Sequence, residues 1–167
     1  MTGLAGQSAG SRLAEVLASW FGAGFSPVAP GTVGSLAALP FVALVLMLDI
    51  QWVLVCSLLL MLVGVWSAGI AGRHWGQVDH GSIVIDEVLG QLLAIAIPHY
   101  LLGGQIAPVW LYSLGFLGFR LFDIVKPWPA DVFDRRAKNG WGVMLDDVVA
   151  GIWAGPVVTL LLMWVLL

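Results

Sequence analysis

Two pairs of adjacent carboxylates stand in a chain that carries few charges. Asp86-Glu87 and Asp146-Asp147 each begin an apolar run, and a small residue four positions after one acid of each pair lets helices approach closely there. Neighbouring residues of a helix point about 100° apart, so each pair can offer one carboxylate to a central site and the other to a neighbouring group or a second metal. Oxygen ligands without clustered Cys or His favour Mg²⁺ or Mn²⁺ over Zn²⁺. We therefore predict a magnesium site between the two helices.

Another interpretation of the acid pairs requires no metal. Carboxylates near helix amino termini complement the helix dipole, and they can simply mark the water interface of a membrane helix. Four acids at membrane depth repel one another unless a cation joins them, and charged groups in a bilayer are normally paired, hydrated or functional. The doubled pattern favours the metal interpretation. The candidate catalytic acids and metal ligands are Asp86, Glu87, Asp123, Asp146 and Asp147.

Basic residues near Asp123 could bind a phosphate group. Arg120 stands three residues before Asp123, a spacing that also suits a simple ion pair within a helix. Lys126 precedes Pro127-Trp128-Pro129, a rigid segment that should hold the lysine out of the regular helix; its alternative role is a contact with a lipid headgroup. Guanidinium and ammonium groups neutralise phosphate oxygens. We predict this role for Arg120, Lys126 and Arg135.

A loop rich in glycine and proline precedes the first long apolar run. It is predicted to extend from Gly22 to Gly34, with a helix from Ser35. Backbone N–H groups next to glycines and at a helix amino terminus favour an anion, so Thr32, Gly34 and Ser35 form a candidate phosphate cradle. The lysine of a Walker A loop is missing. An equal alternative is a plain capping loop with Thr32 or Ser35 as the N-cap.

Three further residues are candidates for hydrogen bonds that support the ligands or the phosphate. Asp79 and His80 lie shortly before the first acid pair, and Asp134 lies in the charged segment before the last helix. The spacing of the histidines does not match a set of three metal ligands.

Composition indicates the elements that must position these residues. Of the 167 residues, 60% are hydrophobic and 10% are charged, whereas about a quarter are charged in an ordinary soluble domain. A span needs about 20 apolar residues, and several uncharged runs have that length. We predict one all-α domain over residues 1–167, a polytopic membrane protein. It has a short interfacial helix at 11–21 and about five embedded helices, at 35–48, 51–71, 83–102, 106–123 and 143–167.

The distribution of basic residues predicts the topology. Arg12 and Arg73 flank the first hairpin, and the positive-inside rule places them in the cytoplasm. The loop before the last helix carries most of the other basic residues, Lys126, Arg135, Arg136 and Lys138. Both acid pairs then face the cytoplasm, whereas the turns at Asp49 and at Gly103-Gly104 face outward. The first and third spans are short, so hairpins of partial depth are an alternative. The net charge of −3 gives no reason to expect a nucleic-acid partner.

Four segments, taken in order, resemble the phosphatidylglycerophosphatase A family. They are Gly24 to Ser35, Asp79 to Glu87, Phe119 to Pro129 and Gly142 to Gly151. The resemblance implies a Mg²⁺-dependent lipid phosphatase of the bacterial inner membrane with its active site facing the cytoplasm. It also implies the substrate, phosphatidylglycerophosphate, whose terminal phosphate is removed to leave phosphatidylglycerol.

The residues and the resemblance together suggest a mechanism. The five acids would hold one or two Mg²⁺ ions that neutralise the phosphate and activate a water, with Glu87 as a candidate base. A phospho-aspartate intermediate is a competing route. A small ion-coupled transporter would also place acids among helices, but would distribute them through the depth of the bilayer. A structural subunit would leave the doubled carboxylates unexplained.

Overall fold

A computed structural model describes residues 8–136 and 139–166 of the protein, with side chains at 8–133 and 139–164. The described part is all helical, which confirms the predicted class. Its helices are α1 (Ala9–Ala18), α2 (Pro30–Val45), α3 (Ile50–Trp75), α4 (Ile85–Leu101), α5 (Pro108–Val125), α6 (Ala130–Arg136) and α7 (Gly140–Leu166), and a short 3₁₀ turn (Ala23–Phe25) lies between α1 and α2.

Three of the described helices are long and apolar enough to cross a membrane. These are α3, α5 and the stretch Gly140–Trp164 of α7. The other two helices predicted to be embedded, α2 and α4, have 16 and 17 residues. The sequence indicated that these two spans are short. The count of five embedded helices therefore stays a prediction, whereas the three long ones meet the length that a bilayer requires.

The predicted start of α2 was wrong by five residues. The helix begins at Pro30 rather than at Ser35, and Ala29, with a φ of 45°, is its N-cap, so neither Thr32 nor Ser35 has that role. Proline at the first helical position has the φ that a helix needs and lacks an N–H that would require a partner. The Ser35 hydroxyl instead donates to the carbonyl oxygen of Gly31, at 2.9 Å.

Other helix ends also differ from the prediction: α1 ends at Ala18 rather than at Phe21, α2 at Val45 rather than at Leu48, and α5 at Val125 rather than at Asp123. The helix α3 continues past Ala71 to Trp75, where Gly76 adopts a φ of 76° and its N–H donates to the carbonyl oxygen of Gly72. The helix α7 begins at Gly140 rather than at Val143. The side-chain oxygen of Asn139 accepts hydrogen bonds from the N–H groups of Trp141 and Gly142, at 3.0 and 3.2 Å, and so caps the start of α7.

The helix α4 lies at the centre of the fold, packed between α2, α3, α5 and α7. Its residues Ile85, Val88, Leu92 and Ile95 are fully buried. Against α7 the approach is backbone to backbone, because a Cβ atom placed on Gly151 would lie 2.5 Å from the carbonyl oxygen of Gly90. The prediction that small residues let the two acid-bearing helices pack closely is confirmed.

The helix α1 packs across the end of α3 that lies nearest the acid pairs. Glu15 Oε1 and His74 Nδ1 are 3.0 Å apart, and the N–H of Val84, just before α4, donates to the carbonyl oxygen of Ala18 at 2.8 Å. Leu13 and Val16 of α1 are exposed. The helix thus has the apolar outer surface expected of an interfacial element, and it stabilises the segment that leads into the first acid pair.

Candidate active site

The close packing of α4 on α7 brings the two acid pairs together. Asp86 and Glu87 lie in the first turn of α4. Asp146 and Asp147 lie further into α7, beside the approach to Gly90. Asp86 and Asp147 are buried, with exposed fractions of 7% and 3%. Carboxylates with so little contact with water need compensation from opposite charge.

Three of the four acids form a group that could hold a divalent metal ion. One carboxylate oxygen from each of Asp86, Glu87 and Asp147 lies within 4.8 Å of the other two. Among the described residues, Asp86 Oδ1 and Glu87 Oε2 are buried and have no hydrogen-bond partner. Buried anionic oxygens without partners are costly, and a bound cation would remove that cost. The all-oxygen donor set fits Mg²⁺ or Mn²⁺.

The fourth acid, Asp146, is paired with a cation from another helix. Its Oδ2 lies 2.8 Å from Lys126 Nζ, and its Oδ1 accepts the backbone N–H of Asp147 at 3.0 Å. Lys126 terminates α5 with a φ of 47°, so the prediction that it is held out of the regular helix is confirmed. Because Asp146 binds the ammonium group, it fixes the position of the positive charge beside the three-acid group.

A second cation reaches the site from the same helix as Lys126. Arg120 Nη1 lies 2.6 Å from Asp123 Oδ2 and 3.9 Å from Glu87 Oε1. It also donates a long hydrogen bond of 3.4 Å to the hydroxyl of Ser35. The ion pair with Asp123 that the spacing suggested is therefore present. This ion pair holds the guanidinium over Glu87. Arg120 can therefore pair with Asp123 and also take part in the site.

All of these groups line one open cavity of about 320 Å³. Its walls include the five predicted acids and both of these cations. Its lining residues are Ala29, Pro30, Gly31, Asp79, Gly81, Ile83, Asp86, Glu87, Arg120, Asp123, Lys126, Asp146 and Asp147. A cavity that combines buried carboxylates with two cations can bind a phosphate group together with a metal ion.

The start of α2 reaches the cavity through Gly31, which was not among the predicted site residues. Gly31 lines the cavity, and a Cβ atom there would meet Glu87 Oε1 and lie 3.2 Å from Arg120 Nη1. Of the predicted cradle, Ser35 is buried next to Arg120, whereas Gly34 packs against Val84. Thr32 lies in the first turn of α2, outside the cavity lining. The signal that could have selected Gly31 is Pro30, which marks the true helix start.

The predicted supporting residues lie in different places. Asp79 is part of the cavity wall. His80 lies behind it: its Nδ1 accepts the N–H of Ser82 at 3.2 Å, and its ring packs on Trp75 with the ring centroids 5.1 Å apart. Asp134 and Arg135 belong to α6, and their side chains lie outside the described part of the chain, as does all of Lys138.

Comparisons with known proteins point to one family. The family model described as Phosphatidylglycerophosphatase A matches residues 16–162. The chain is 40% identical over 140 residues to "Phosphatidylglycerophosphatase A" of Escherichia coli, a match that covers 83% of this chain and 77% of that protein. It is 39% identical over 154 residues to the protein of the same name from Haemophilus influenzae, covering 91% and 90%.

A third relative carries a different name. The chain is 35% identical over 149 residues to a Bacteroides thetaiotaomicron protein that is provisionally named a phosphatidylinositol-3-phosphatase, with 86% of this chain and 90% of that protein covered. No solved structure matches the chain. The region that the family model matches includes the five acids, Arg120 and Lys126.

Proposed function

The chain belongs to the phosphatidylglycerophosphatase A family, and we propose that it hydrolyses the terminal phosphate monoester of phosphatidylglycerophosphate, giving phosphatidylglycerol and phosphate. The observation that carries this proposal is the cavity in which the three-acid group, two of whose members are buried, faces two cations. It lies where α4 begins and α5 ends, next to helices long enough to cross a bilayer. A lipid phosphate at the membrane surface could therefore enter it while the acyl chains stay in the bilayer.

The metal in this proposal is Mg²⁺, held by Asp86, Glu87 and Asp147. These residues supply the oxygen donors that Mg²⁺ prefers, and two of them have buried oxygens without a partner among the described residues. When bound, the ion supplies neutralisation of phosphate charge and a water that is acidic enough to lose a proton near neutral pH.

Arg120 and Lys126 would bind the phosphate oxygens. Phosphoryl transfer spreads negative charge over these oxygens in the transition state, so cations already in place stabilise it without having to reorganise. The ion pairs with Asp123 and Asp146 keep each cation in place between turnovers. We assign Asp123 and Asp146 chiefly to this task, and Thr32, Gly34 and Ser35 to the helix segment that supports Gly31 and Arg120. Arg135 is a further candidate for the phosphate.

Glu87 is our candidate for the base. It accepts a proton from the attacking water, whose oxygen then bonds to phosphorus. The ester bond from phosphorus to the glycerol oxygen breaks, and that oxygen takes up a proton. The competing route places an aspartate on phosphorus first. Rapid acid quenching of the enzyme with substrate labelled in its terminal phosphate separates the two, because only the competing route leaves label on the protein.

The site would face the cytoplasm of a bacterial cell. The positive-inside rule supports this orientation, since Arg12, Arg73 and Lys126 all lie at the end of the helices that holds the cavity. Cysteines placed at Gly10 and at Gly104, in a Cys56→Ser background, would report the two sides through labelling with a membrane-impermeant thiol reagent. We expect Gly104→Cys to be labelled in intact spheroplasts and Gly10→Cys to be labelled only after lysis.

The decisive experiment measures phosphate release by the purified protein in detergent. We expect release from phosphatidylglycerophosphate with Mg²⁺, none with excess chelator, and recovery when Mg²⁺ is restored. Phosphatidylinositol 3-phosphate is the comparison substrate, because one relative is named for it. Preference for that lipid would replace the proposed substrate and keep the reaction class. Folded protein that releases phosphate from neither lipid would refute the proposal.

A further inference from the structure

The cavity is too small for a whole lipid. Its volume of about 320 Å³ is at the lower end of the range for small-molecule sites, which is roughly 300 to 1,000 Å³. That space holds a phosphorylated glycerol headgroup but not two acyl chains. The acyl chains of a bound lipid lie in the bilayer, so the shortest path for them out of the cavity runs between helices that line it.

Most helix pairs around the cavity are closed by glycine contacts. A Cβ atom on Gly34 of α2 would lie 2.6 Å from Val84, next to α4, and one on Gly115 of α5 would lie 2.5 Å from Ile95 of α4. One on Gly118 of α5 would lie 2.5 Å from Val158 of α7. With the Gly90 and Gly151 approach described above, these contacts leave no room for a chain between α2 and α4, α4 and α5, α5 and α7, or α4 and α7.

The pair α2 and α5 differs, because these helices meet only loosely although both line the cavity. The polar contact between them is the long hydrogen bond from Arg120 to Ser35, at 3.4 Å. A single flexible side chain that also faces the cavity thus crosses the boundary between the two helices. We call this boundary, from Ser35 and Arg120 towards the middle of the membrane, the α2–α5 seam.

Apolar side chains continue the seam away from the charged cavity. Leu39 stands four residues after Ser35 and Phe116 four residues before Arg120, so each shares a helix face with its partner in that hydrogen bond, and both are half-buried. Leu36 stands three residues before Leu39 and Leu117 follows Phe116 in the chain, and 48% and 61% of their surfaces are exposed. The lining changes within one helical turn from a charged site to an apolar strip.

We propose that the α2–α5 seam binds the acyl chains of the lipid whose phosphate enters the cavity, with Arg120 at the junction between headgroup and chains. This inference rests on the proposed function for the identity of the lipid. Continuity with the phosphate site and the change from charged to apolar lining support this occupant. The seam is the lateral entrance from the bilayer to the site.

Photocrosslinking tests the seam without relying on turnover. A benzophenone amino acid replaces Leu36 or Leu117 in the Asp147→Asn background, and as controls it replaces Leu62 or Leu59 of α3, whose exposed fractions of 49% and 55% are similar. Each protein is reconstituted and irradiated in phosphatidylcholine vesicles that contain a small fraction of phosphatidylglycerophosphate. At the two seam positions we expect the share of phosphatidylglycerophosphate among the captured lipids to exceed its share in the vesicles several-fold. At the two α3 positions we expect no such enrichment. Equal capture at all four positions would overturn the proposal.

Kinetics supply a second measurement. In the otherwise native enzyme, Leu117→Trp should raise KM for the dioleoyl lipid several-fold with little change in kcat, whereas Leu59→Trp should leave KM unchanged. An unchanged KM in the folded Leu117→Trp protein would count against the seam. If the native enzyme hydrolyses the lipid but neither test detects the seam, only this inference fails. If the seam captures the lipid but no hydrolysis occurs, the proposed function fails instead.

Discussion

The two acid pairs look alike in sequence but have different surroundings in the fold. Both residues of the α4 pair belong to the three-acid group, and each has a buried oxygen with no partner in the part of the chain that the structure describes. The α7 pair is divided: Asp147 joins that group, whereas Asp146 binds Lys126 at 2.8 Å. One pair gives both carboxylates to the three-acid group, and the other divides its charge between that group and a cation.

The difference shows how four like charges can coexist at the end of a helix bundle. Adjacent residues on a helix diverge by about 100°, so a pair can face two partners only if the surrounding helices place a partner on each side. The end of α5 supplies Lys126 next to α7 and Arg120 next to α4. The two pairs should therefore respond differently to the same amide substitution.

The largest expected effect belongs to Asp147. Replacing its carboxylate with an amide in Asp147→Asn removes one charged ligand from the three-acid group, and several kcal/mol of transition-state stabilisation corresponds to a loss in kcat of roughly 10³-fold. The Mg²⁺ concentration for half-maximal activity should also rise. Phosphate release in detergent measures both, and Asp49→Asn, at an exposed turn far from the cavity, is the control. Near-normal turnover by Asp147→Asn would exclude it from the metal site.

Lys126 should have the next largest effect. Lys126→Met keeps the length of the side chain but removes the charge that faces the phosphate, so kcat should fall a few hundredfold, roughly, as for the loss of one preorganised donor. Lys126→Arg should restore part of the activity, because it restores the charge. If Lys126→Met is fully active, Lys126 contacts only Asp146 or the lipid surface. Arg120 is then the cation that binds the phosphate.

Asp146→Asn distinguishes the two halves of the α7 pair. The amide oxygen can still accept a hydrogen bond from Lys126, so the ammonium group is held less firmly but is not lost. We expect kcat to fall by roughly 30-fold, within the range for residues that orient a direct ligand. The Mg²⁺ requirement should stay close to that of the native enzyme. If the Mg²⁺ requirement of Asp146→Asn rose as much as that of Asp147→Asn, both acids would bind metal. The contrast between the two pairs would then be lost.

The smallest expected effect comes from Gly31→Ala. A Cβ atom at this position would meet Glu87 Oε1, so the carboxylate must move away from the three-acid group. Small displacements of a reacting group are costly, and we expect kcat to fall by about tenfold with little loss of thermal stability. Gly10→Ala is the matched control, because among residues 8–136 and 139–166 its Cβ atom would find only Ser8 Oγ within 4 Å, at 3.7 Å. Equal activity of the two variants would mean that Glu87 has room to adjust.

The acids and cations of the site could be selected from the sequence because charges are scarce there. With 10% of residues charged, each charge inside or next to an apolar run needs a reason, and the five acids, Arg120 and Lys126 all line the cavity. The helical class followed from the length of the apolar runs, since only helices satisfy the backbone polar groups of such runs in lipid. The turn at Lys126 was also predictable, because Pro127 cannot continue a helix.

The helix starts were harder to predict, because local signals competed. Ser35 and Thr32 are good N-cap residues, but Pro30 begins α2 and brings Gly31, rather than Thr32 or Gly34, to the cavity. The capping preference of a side chain is worth about 1 kcal/mol, which tertiary packing such as that of Gly34 on Val84 easily outweighs.

The sequence by itself determined which residues place charge in or next to apolar segments and which segments are helical, because both follow from composition and periodicity. Only the tertiary structure decided how the charges are paired: Asp146 with Lys126, Asp123 with Arg120, and the other three acids with one another. It also gave α2 and α5 only a loose contact, whereas glycine contacts bring α4 close to α5 and α7. Such pairings depend on the relative rotation and depth of helices that are far apart in the chain, and local sequence does not specify these.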